Sequence, residues 1–347
     1  MNPNFTTIIQ AGVEDRRDLF MTSAARLGTT VQYVEKDFWV CWTLDALFSG
    51  LPEGSPRLLF KGGTSLSKAY GLISRFSEDI DISVFRQDIG QDISSNDLQA
   101  LSRKKQRQRL QDIVSACQAY ICGPLADNLH ALASAVMPAD AFRIEPDPED
   151  TDQQTLLFWY PAIFRGNDAD EYVRAAVKIE AGARSALDPH EATTVRPYVA
   201  DDLPDLPLDV PGVTTIAPER TFWDKIIIVH GQRQVFDADG HLNRRGQRVS
   251  RHYYDIYRLL QHPNAKDWMR NRELAQDCAN HARAFFFRRK LNLETAAHGS
   301  FTLAPTEAMR ADLKKDYDAM AGMIFGPKPD IDDVFDAISA LEAELNA

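Results

Sequence analysis

The chain has 347 residues, 44% of them hydrophobic and 26% charged, which is the composition of an ordinary globular protein large enough for one large or two modest domains. A formal net charge of −11 excludes a protein that coats nucleic acid over its whole surface, while leaving local basic patches open. No segment approaches the roughly 18 uninterrupted apolar residues of a membrane span. The start, Met1-Asn2-Pro3-Asn4-Phe5, lacks the basic and apolar regions of a signal peptide, so a cytoplasmic location without membrane contact is expected. Cys41, Cys117, Cys122 and Cys278 form no CxxC pair, which argues against a zinc ribbon or thioredoxin-type site and for reduced thiols.

In chain order, residues 11 to 28 carry a mixed helical pattern. Thr30 is placed to cap a second helix through Val31, Val34, Phe38, Trp39, Trp42, Leu44, Leu47 and Phe48, apolar on most of its circumference and therefore expected to pack on a sheet. Glu35, Lys36 and Asp37 interrupt that run, and Glu35 and Lys36 read as a solvated helix face.

Residues 57 to 85 organise the rest. Leu58, Leu59 and Phe60 predict a short strand that stops at Gly62-Gly63, where missing side chains allow a tight turn and close approach of a ligand to backbone N–H groups. From Thr64, read as an N-cap, Leu66, Ala69, Tyr70 and Ile73 follow helical spacing, so the turn opens onto a helix start that favours an anion. Glu78 to Phe85 then alternates acids with apolar residues at strand period. Asp79 and Asp81 share one face, about 7 Å apart at a rise of about 3.3 Å per residue, and Ile80, Ile82 and Val84 take the other. Two such carboxylates suit a hard, oxygen-seeking cation such as Mg²⁺.

The stretch Lys61-Gly62-Gly63-Thr64-Ser65-Leu66-Ser67-Lys68, followed by Arg75-Phe76-Ser77-Glu78-Asp79-Ile80-Asp81, resembles the core of the DNA polymerase β-like nucleotidyltransferase superfamily. Its signature is Gly-(Gly/Ser/Thr) followed by Asp-x-Asp. More narrowly, the wording is similar to the AbiEii/AbiGii toxin family, which includes the MenT-type toxins, and Val34-Glu35-Lys36-Asp37-Phe38-Trp39 is similar to it as well. The plain alternative is a βαβ unit with a solvated acidic edge, but two acids on a core strand would be costly without a cation. A Walker A loop is a poorer match, because Lys61 precedes both glycines instead of following the second.

Further along, residues 96 to 132 predict a long helix that includes Arg103-Lys104-Lys105-Gln106-Arg107-Gln108-Arg109, a run that fits RNA phosphates and a solvated face equally well. Residues 145 to 153 read as a loop, and Thr155–Tyr160 and Glu171–Ala181 as two strands. The superfamily takes a third acid from a strand beside Asp-x-Asp, and by resemblance Glu180 fills that place with Lys178 on the same face; an ion pair explains the Lys-x-Glu as well. Residues 188 to 213, punctuated by Pro189, Pro197, Pro204, Pro207 and Pro211, read as a connector.

A helix is expected from Ala217-Pro218-Glu219 onward. Lys225 within it needs an anion, either a nucleotide phosphate, as the resemblance implies, or an acid on a helix. Gly231 to Ser250, with Arg233, Arg244, Arg245 and Arg248, reads as a mobile loop able to hold RNA backbone. Arg251 to Leu260 returns to helix, and the resemblance picks out Asp255 as an acid that orients either Lys225 or an attacking hydroxyl. His252 reads as structural or exposed. Phe285-Phe286-Phe287 with Arg288, Arg289 and Lys290 fits a clamp on a single-stranded end, although aromatic runs more often belong to a core. Two amphipathic helices flanking Gly326-Pro327-Lys328-Pro329 close the chain.

The resemblance implies an α/β (α+β) fold: a nucleotidyltransferase domain over 1–214, with N-terminal helices, a mixed β-sheet flanked by helices and a helical insertion at about 95–135, then a mainly helical region over 215–347, with the site in the cleft between them. It implies metal held by Asp79, Asp81 and Glu180, with Mg²⁺ expected and Mn²⁺ as the alternative, and NTP phosphates bound by Lys61, Gly62, Gly63, Thr64 and Ser65 near Ser77 and Lys178. Lys225 and Asp255 complete the catalytic set with the two aspartates. The implied activity is nucleotide transfer from NTP to an RNA acceptor, the tRNA 3′ end, by a toxin with a cognate antitoxin and a role in phage defence. AMP transfer to a protein side chain is a second reading, and a non-catalytic RNA- or partner-binding module a third. Ser77 stands two residues before Asp79, so its phosphorylation is expected to inactivate.

Overall fold

A computed structural model describes residues 1–77, 79–164, 174–242 and 248–347. Glu78, the beginning of the expected 171–181 strand, and Arg244 and Arg245 lie outside the described residues. By internal contacts the chain divides into two compact units: Met1–Tyr70, Phe76–Ile93 and Arg103–Ile216 form the first, and Gly71–Arg75, Ser94–Ser102 and Ala217–Ala347 the second.

The first unit is built on a mixed seven-stranded sheet. Its elements are α1 (Pro3–Ile9), α2 (Val13–Leu27), α3 (Val31–Asp45), β1 (Leu58–Lys61), α4 (Gly62–Lys68) and β2 (Ile80–Val84). After α5 (Ser95–Ala100), which belongs to the second unit, come α6 (Arg103–Tyr120), α7 (Ala126–Ser134), β3 (Arg143–Pro146), β4 (Thr155–Trp159), β5 (Ala176–Glu180), β6 (His190–Val195) and β7 (Val210–Ile216). The strand order is β3-β4-β5-β2-β1-β7-β6. Glycine-turn strand β1 runs antiparallel to β2, and β2 runs parallel to β5, so the two acid-bearing strands are neighbours at the centre of the sheet.

Helix α3 supplies much of the core. Trp39 and Trp42 meet the Phe158 ring of β4 at 5.9 and 5.2 Å, and Trp39 stacks on Tyr160 at 5.4 Å. Every residue from Tyr33 to Asp45 is buried, so Glu35, Lys36 and Asp37 do not form a solvated face. Each has a partner that makes burial tolerable. The Glu35 carboxylate accepts from the backbone N–H groups of Ile163 and Phe164 at 2.7 and 3.1 Å, and Lys36 donates to the Arg174 carbonyl. Asp37 pairs with Lys68 of α4 and accepts from Tyr198 N–H, while the Lys68 ammonium also sits over the Tyr198 ring.

Three expectations are corrected. Residues 188 to 213 are no mere connector: β6 and the start of β7 lie there, because His190-Glu191-Ala192-Thr193-Thr194-Val195 and Val213-Thr214-Thr215-Ile216 carry strand-forming residues between the prolines. The expected 145–153 loop begins inside β3. Helix α4 starts at Gly62, not after Thr64, and ends at Lys68, because the Thr64 hydroxyl is engaged elsewhere instead of capping.

The second unit is helical: α8 (Pro218–Asp239), α9 (Ser250–Leu260), α10 (Ala265–Arg270), α11 (Arg272–Phe285), α12 (Glu307–Ala319) and α13 (Ile331–Asn346), with α5 donating Gln99 to the Asn280 carbonyl. Proline at the first position and Glu219 in the first turn start α8 as expected. The helix then runs on to Asp239, so the first part of the predicted 231–250 loop is helix. Gly231 is buried there, and a Cβ on it would meet Leu291 at 3.0 Å, so the glycine permits close packing instead of marking a loop. The unit's core gathers Trp223, whose indole N–H donates to the Trp268 carbonyl, with Phe301, Tyr253 and Phe335.

Candidate active site

The first unit carries the glycine turn and the carboxylates. Lys61 is directly opposite Asp81 in the β1–β2 register, and its ammonium lies 3.9 Å from Asp81 Oδ1. Gly62, at φ +80°, adopts a backbone conformation that side chains disfavour, and a Cβ there would come within 2.1 Å of Asp81 Oδ2. The missing side chain therefore lets the turn bend and lets the Asp81 carboxylate lie against it. Thr64 and Ser65 are buried: Thr64 Oγ1 is hydrogen-bonded to Ser77 Oγ at 2.7 Å and donates to the Asp79 carbonyl, and Ser65 Oγ donates to the Gly62 carbonyl at 2.9 Å. These bonds tie the turn, Ser77 and the Asp79 backbone into one body. Gly63 sits within α4 between them.

Asp79 immediately precedes β2 and Asp81 is its second residue. Across the parallel β2–β5 pair, Asp81 is in register with Glu180. Lys178 lies two residues before Glu180, and its ammonium contacts Glu180 Oε1 at 2.6 Å and Asp147 Oδ2 at 3.7 Å. Burial works against that ammonium, but the bond to Glu180 and the charges of Asp79 and Asp147 outweigh it and raise the Lys178 pKa. The Lys-x-Glu pair thus runs along one strand and not across two. Asp147 joins the group without having been foreseen, its contribution visible only once β3 and β5 are placed around β4.

Among the described residues no group of three or more His, Cys, Asp and Glu side chains is gathered as a metal cage. Mg²⁺ does not need one. It is commonly held by one or two carboxylates, with water and substrate phosphate completing the shell. Asp81 and Glu180, hard oxygen donors on adjacent strands in register, are a donor set of that kind, with the Asp81 carboxylate resting in the space left by Gly62.

The second unit holds Lys225 and Asp255 together. Lys225 Nζ donates to Asp255 Oδ2 at 2.8 Å from α8 to α9. The same carboxylate receives Arg75 in a two-pronged pair, Nε to Oδ1 at 2.8 Å and Nη2 to Oδ2 at 2.9 Å. Asp255 is 0% exposed, Arg75 4% and Lys225 6%. Burial alone would raise the Asp255 pKa, but the two cations hold it well below the usual carboxylate range, while burial lowers the Lys225 pKa against the pull of Asp255. Two cations thus bring positive charge to one buried carboxylate. His252, one turn before Asp255, adds none, because burial and the nearby Lys225 and Arg251 push its pKa far down. The anion that Lys225 requires is therefore, in the first instance, a helix acid.

Arg75 escaped the sequence reading. Its partner is 180 residues away, and only its position just before the Ser77–Asp81 stretch could have signalled it. The segment around it is anchored within the second unit by a bridge between Arg75 and Ile324 and by Phe325 N–H donating to the Ser74 carbonyl at 2.8 Å.

The description "Nucleotidyl transferase AbiEii toxin, Type IV TA system" matches residues 45–339, which places the chain among nucleotidyltransferases. It belongs to the AbiEii toxin family, whose members are the toxins of type IV toxin–antitoxin systems. Among solved structures the chain is similar to MenT4, a nucleotidyltransferase toxin from Mycobacterium tuberculosis H37Rv, at 14% identity and a TM-score of 0.41 over 94% of this chain and 99% of that one. No curated protein matches the chain. No helix among the described residues is long and apolar enough to cross a membrane.

Proposed function

We propose that this toxin transfers a nucleotide from an NTP to an RNA acceptor, the 3′ end of tRNA, and that a cognate antitoxin restrains it where NTP and tRNA are both present, in the cytoplasm. The observation that carries the reading is the register of Asp81 with Glu180 beside a glycine turn closed by Thr64, Ser77 and Asp79. In the reaction an acceptor hydroxyl oxygen bonds to the α-phosphorus, the bond from that phosphorus to the β-bridging oxygen breaks, pyrophosphate leaves and the hydroxyl proton is lost to water. Mg²⁺, or Mn²⁺, held by Asp79, Asp81 and Glu180, would neutralise charge on the phosphates.

The chain's own residues have distinct tasks. Gly62, Gly63, Thr64 and Ser65 form the turn that receives the β- and γ-phosphates, with Lys61 and Lys178 adding positive charge beside the carboxylates. Lys225, held on Asp255 beside Arg75, offers a further cation to the nucleotide. Asp255, enclosed between those two cations, is a positioning residue that fixes Lys225 instead of meeting the attacking hydroxyl.

The test incubates purified protein with Mg²⁺, each α-labelled NTP in turn and total tRNA, beside an Asp81→Ala control. Label on tRNA that disappears in the control is the expected result and identifies the nucleotide. Label on protein would replace the acceptor, and no label with any NTP would overturn the reading.

A further inference from the structure

Lys178 stands among carboxylates of the first unit. It shares one face of β5 with Glu180, and its ammonium reaches Glu180 Oε1 at 2.6 Å and Asp147 Oδ2 at 3.7 Å, with the charge of Asp79 also acting on it. The two acids it touches are held differently. The Glu180 side chain is 42% exposed, and Lys178 is its ion-pair partner among the described residues. Asp147, directly after β3, is 3% exposed and fixed by backbone: its N–H donates to the Thr155 carbonyl at 2.9 Å and its Oδ1 accepts the Glu149 N–H at 3.0 Å, while Oδ2 faces Lys178. An ion pair as exposed as Lys178–Glu180 adds little stability, so its place on the strand beside Asp81 calls for another account. Asp81 is in register with Glu180, and carboxylates gathered in this way repel one another until a cation offsets them. Lys178 supplies that charge from within the chain.

We propose that Lys178 is the resident counterion of the metal-binding carboxylates: its ammonium holds Glu180 while no divalent cation is bound and moves onto Asp147 when one is, with Asp147 as the positioning residue that receives it. The inference rests on the reading of Asp79, Asp81 and Glu180 as metal ligands and deepens it by giving the site a competitor of its own. A lysine carries its charge on a flexible four-carbon stem, so the shift needs only rotation about side-chain bonds. The backbone-fixed acid gives that rotation a defined end, and the ammonium stays beside the site, where it serves the NTP phosphates.

The experiment titrates each protein with Mn²⁺ in the absence of NTP and reads free Mn²⁺ by electron paramagnetic resonance, with urea unfolding as the check on the fold. The proteins are the unaltered chain, Asp81→Ala, Lys178→Met, Asp147→Asn and the Lys178→Met/Asp147→Asn double variant. Lys178→Met removes the competitor and should tighten Mn²⁺ binding by about tenfold or more. Asp147→Asn removes the place to which the ammonium withdraws and should weaken binding by about 10- to 100-fold, the scale of changes around metal ligands. The double variant should bind within about twofold of Lys178→Met, because Asp147 acts through the lysine. Unchanged or weaker binding in Lys178→Met would overturn the proposal, and an Asp147→Asn loss of full size in the Lys178→Met background would overturn the role of Asp147. Should the buried Asp147 not tolerate substitution, Lys178→Met decides by itself, since that side chain is 34% exposed. Binding lost in Asp81→Ala yet indifferent to Lys178→Met would sink the counterion alone, whereas binding that persists unchanged in Asp81→Ala would sink the metal-site reading.

Discussion

Asp81 Oδ2 occupies the space that a side chain on residue 62 would need, since a Cβ there would stand 2.1 Å away. The turn and the carboxylate strand are therefore built to a common clearance, and that clearance is open to test.

Gly62→Ala should damage both stability and transfer. The φ of +80° costs a non-glycine residue about 1–3 kcal/mol, read as a lower urea midpoint. The displaced carboxylate should cut transfer by about a hundredfold, the scale of a misplacement near 1 Å. Full activity in Gly62→Ala would show that the position of Asp81 is not critical.

Asp255→Asn should be among the most damaging single changes in the second unit. It leaves Arg75 and Lys225 buried beside each other without their shared anion, at a cost of about 3–5 kcal/mol in urea unfolding. Lys225→Met keeps the Arg75 pair and should cost less stability, yet lower transfer by a factor on the order of 10²–10³ if Lys225 meets the nucleotide. Equal stability loss with transfer retained would make the lysine purely structural.

Acid should weaken the fold in two steps. His230 is buried and accepts the Thr302 N–H at Nδ1 at 3.1 Å, so it must be unprotonated there, and burial lowers its pKa. A depressed folded pKa gives stability that is complete above the unfolded value near 6.5 and is lost as pH falls below it toward the folded value. Asp255 follows the same sign at lower pH: its stabilisation is present above the unfolded value of about 3.9 and is lost as pH falls further. Urea midpoints from pH 8 to pH 3 should show both, and His230→Gln should shrink the first to the share of His252, whose pKa burial also lowers. A first step of undiminished size in His230→Gln would show that His230 contributes nothing to it.

Ser77→Asp should abolish transfer, and so should phosphorylation. Ser77 Oγ is half of the bond to Thr64, and a carboxylate there adds negative charge two residues from Asp79. Thr64→Val, which removes that bond without adding charge, should retain more activity than Ser77→Asp. Equal activity of Ser77→Asp and the unaltered protein in the labelled-NTP assay would refute the claim.

What could be read beforehand was what local pattern encodes. Apolar runs, glycines and alternating acids located β1, the turn, β2 and β5, because strand period and backbone freedom act within a few residues. Charges were misread where their partners come from far along the chain. Nothing between residues 30 and 48 shows that Glu35 meets the N–H groups of Ile163 and Phe164 or Lys36 the Arg174 carbonyl, so two buried charges looked like a wet helix face. Arg75 was missed for the same reason. Prolines overshadowed the β-branched residues of β6 and β7, and Gly231 suggested a loop in the middle of a 22-residue helix.

The 180 residues between Arg75 and Asp255 also set a clock. At about 5–20 residues per second, a ribosome exposes the arginine roughly 10–40 s before the aspartate that receives it. Through that interval the sequence from Ser77 to Asp81 is already made, while the segment leading into it has no anchor. A nascent or prematurely terminated chain thus carries the Asp-x-Asp stretch without the pair that holds Arg75, and synthesis of α9 is the moment at which Arg75 meets Asp255.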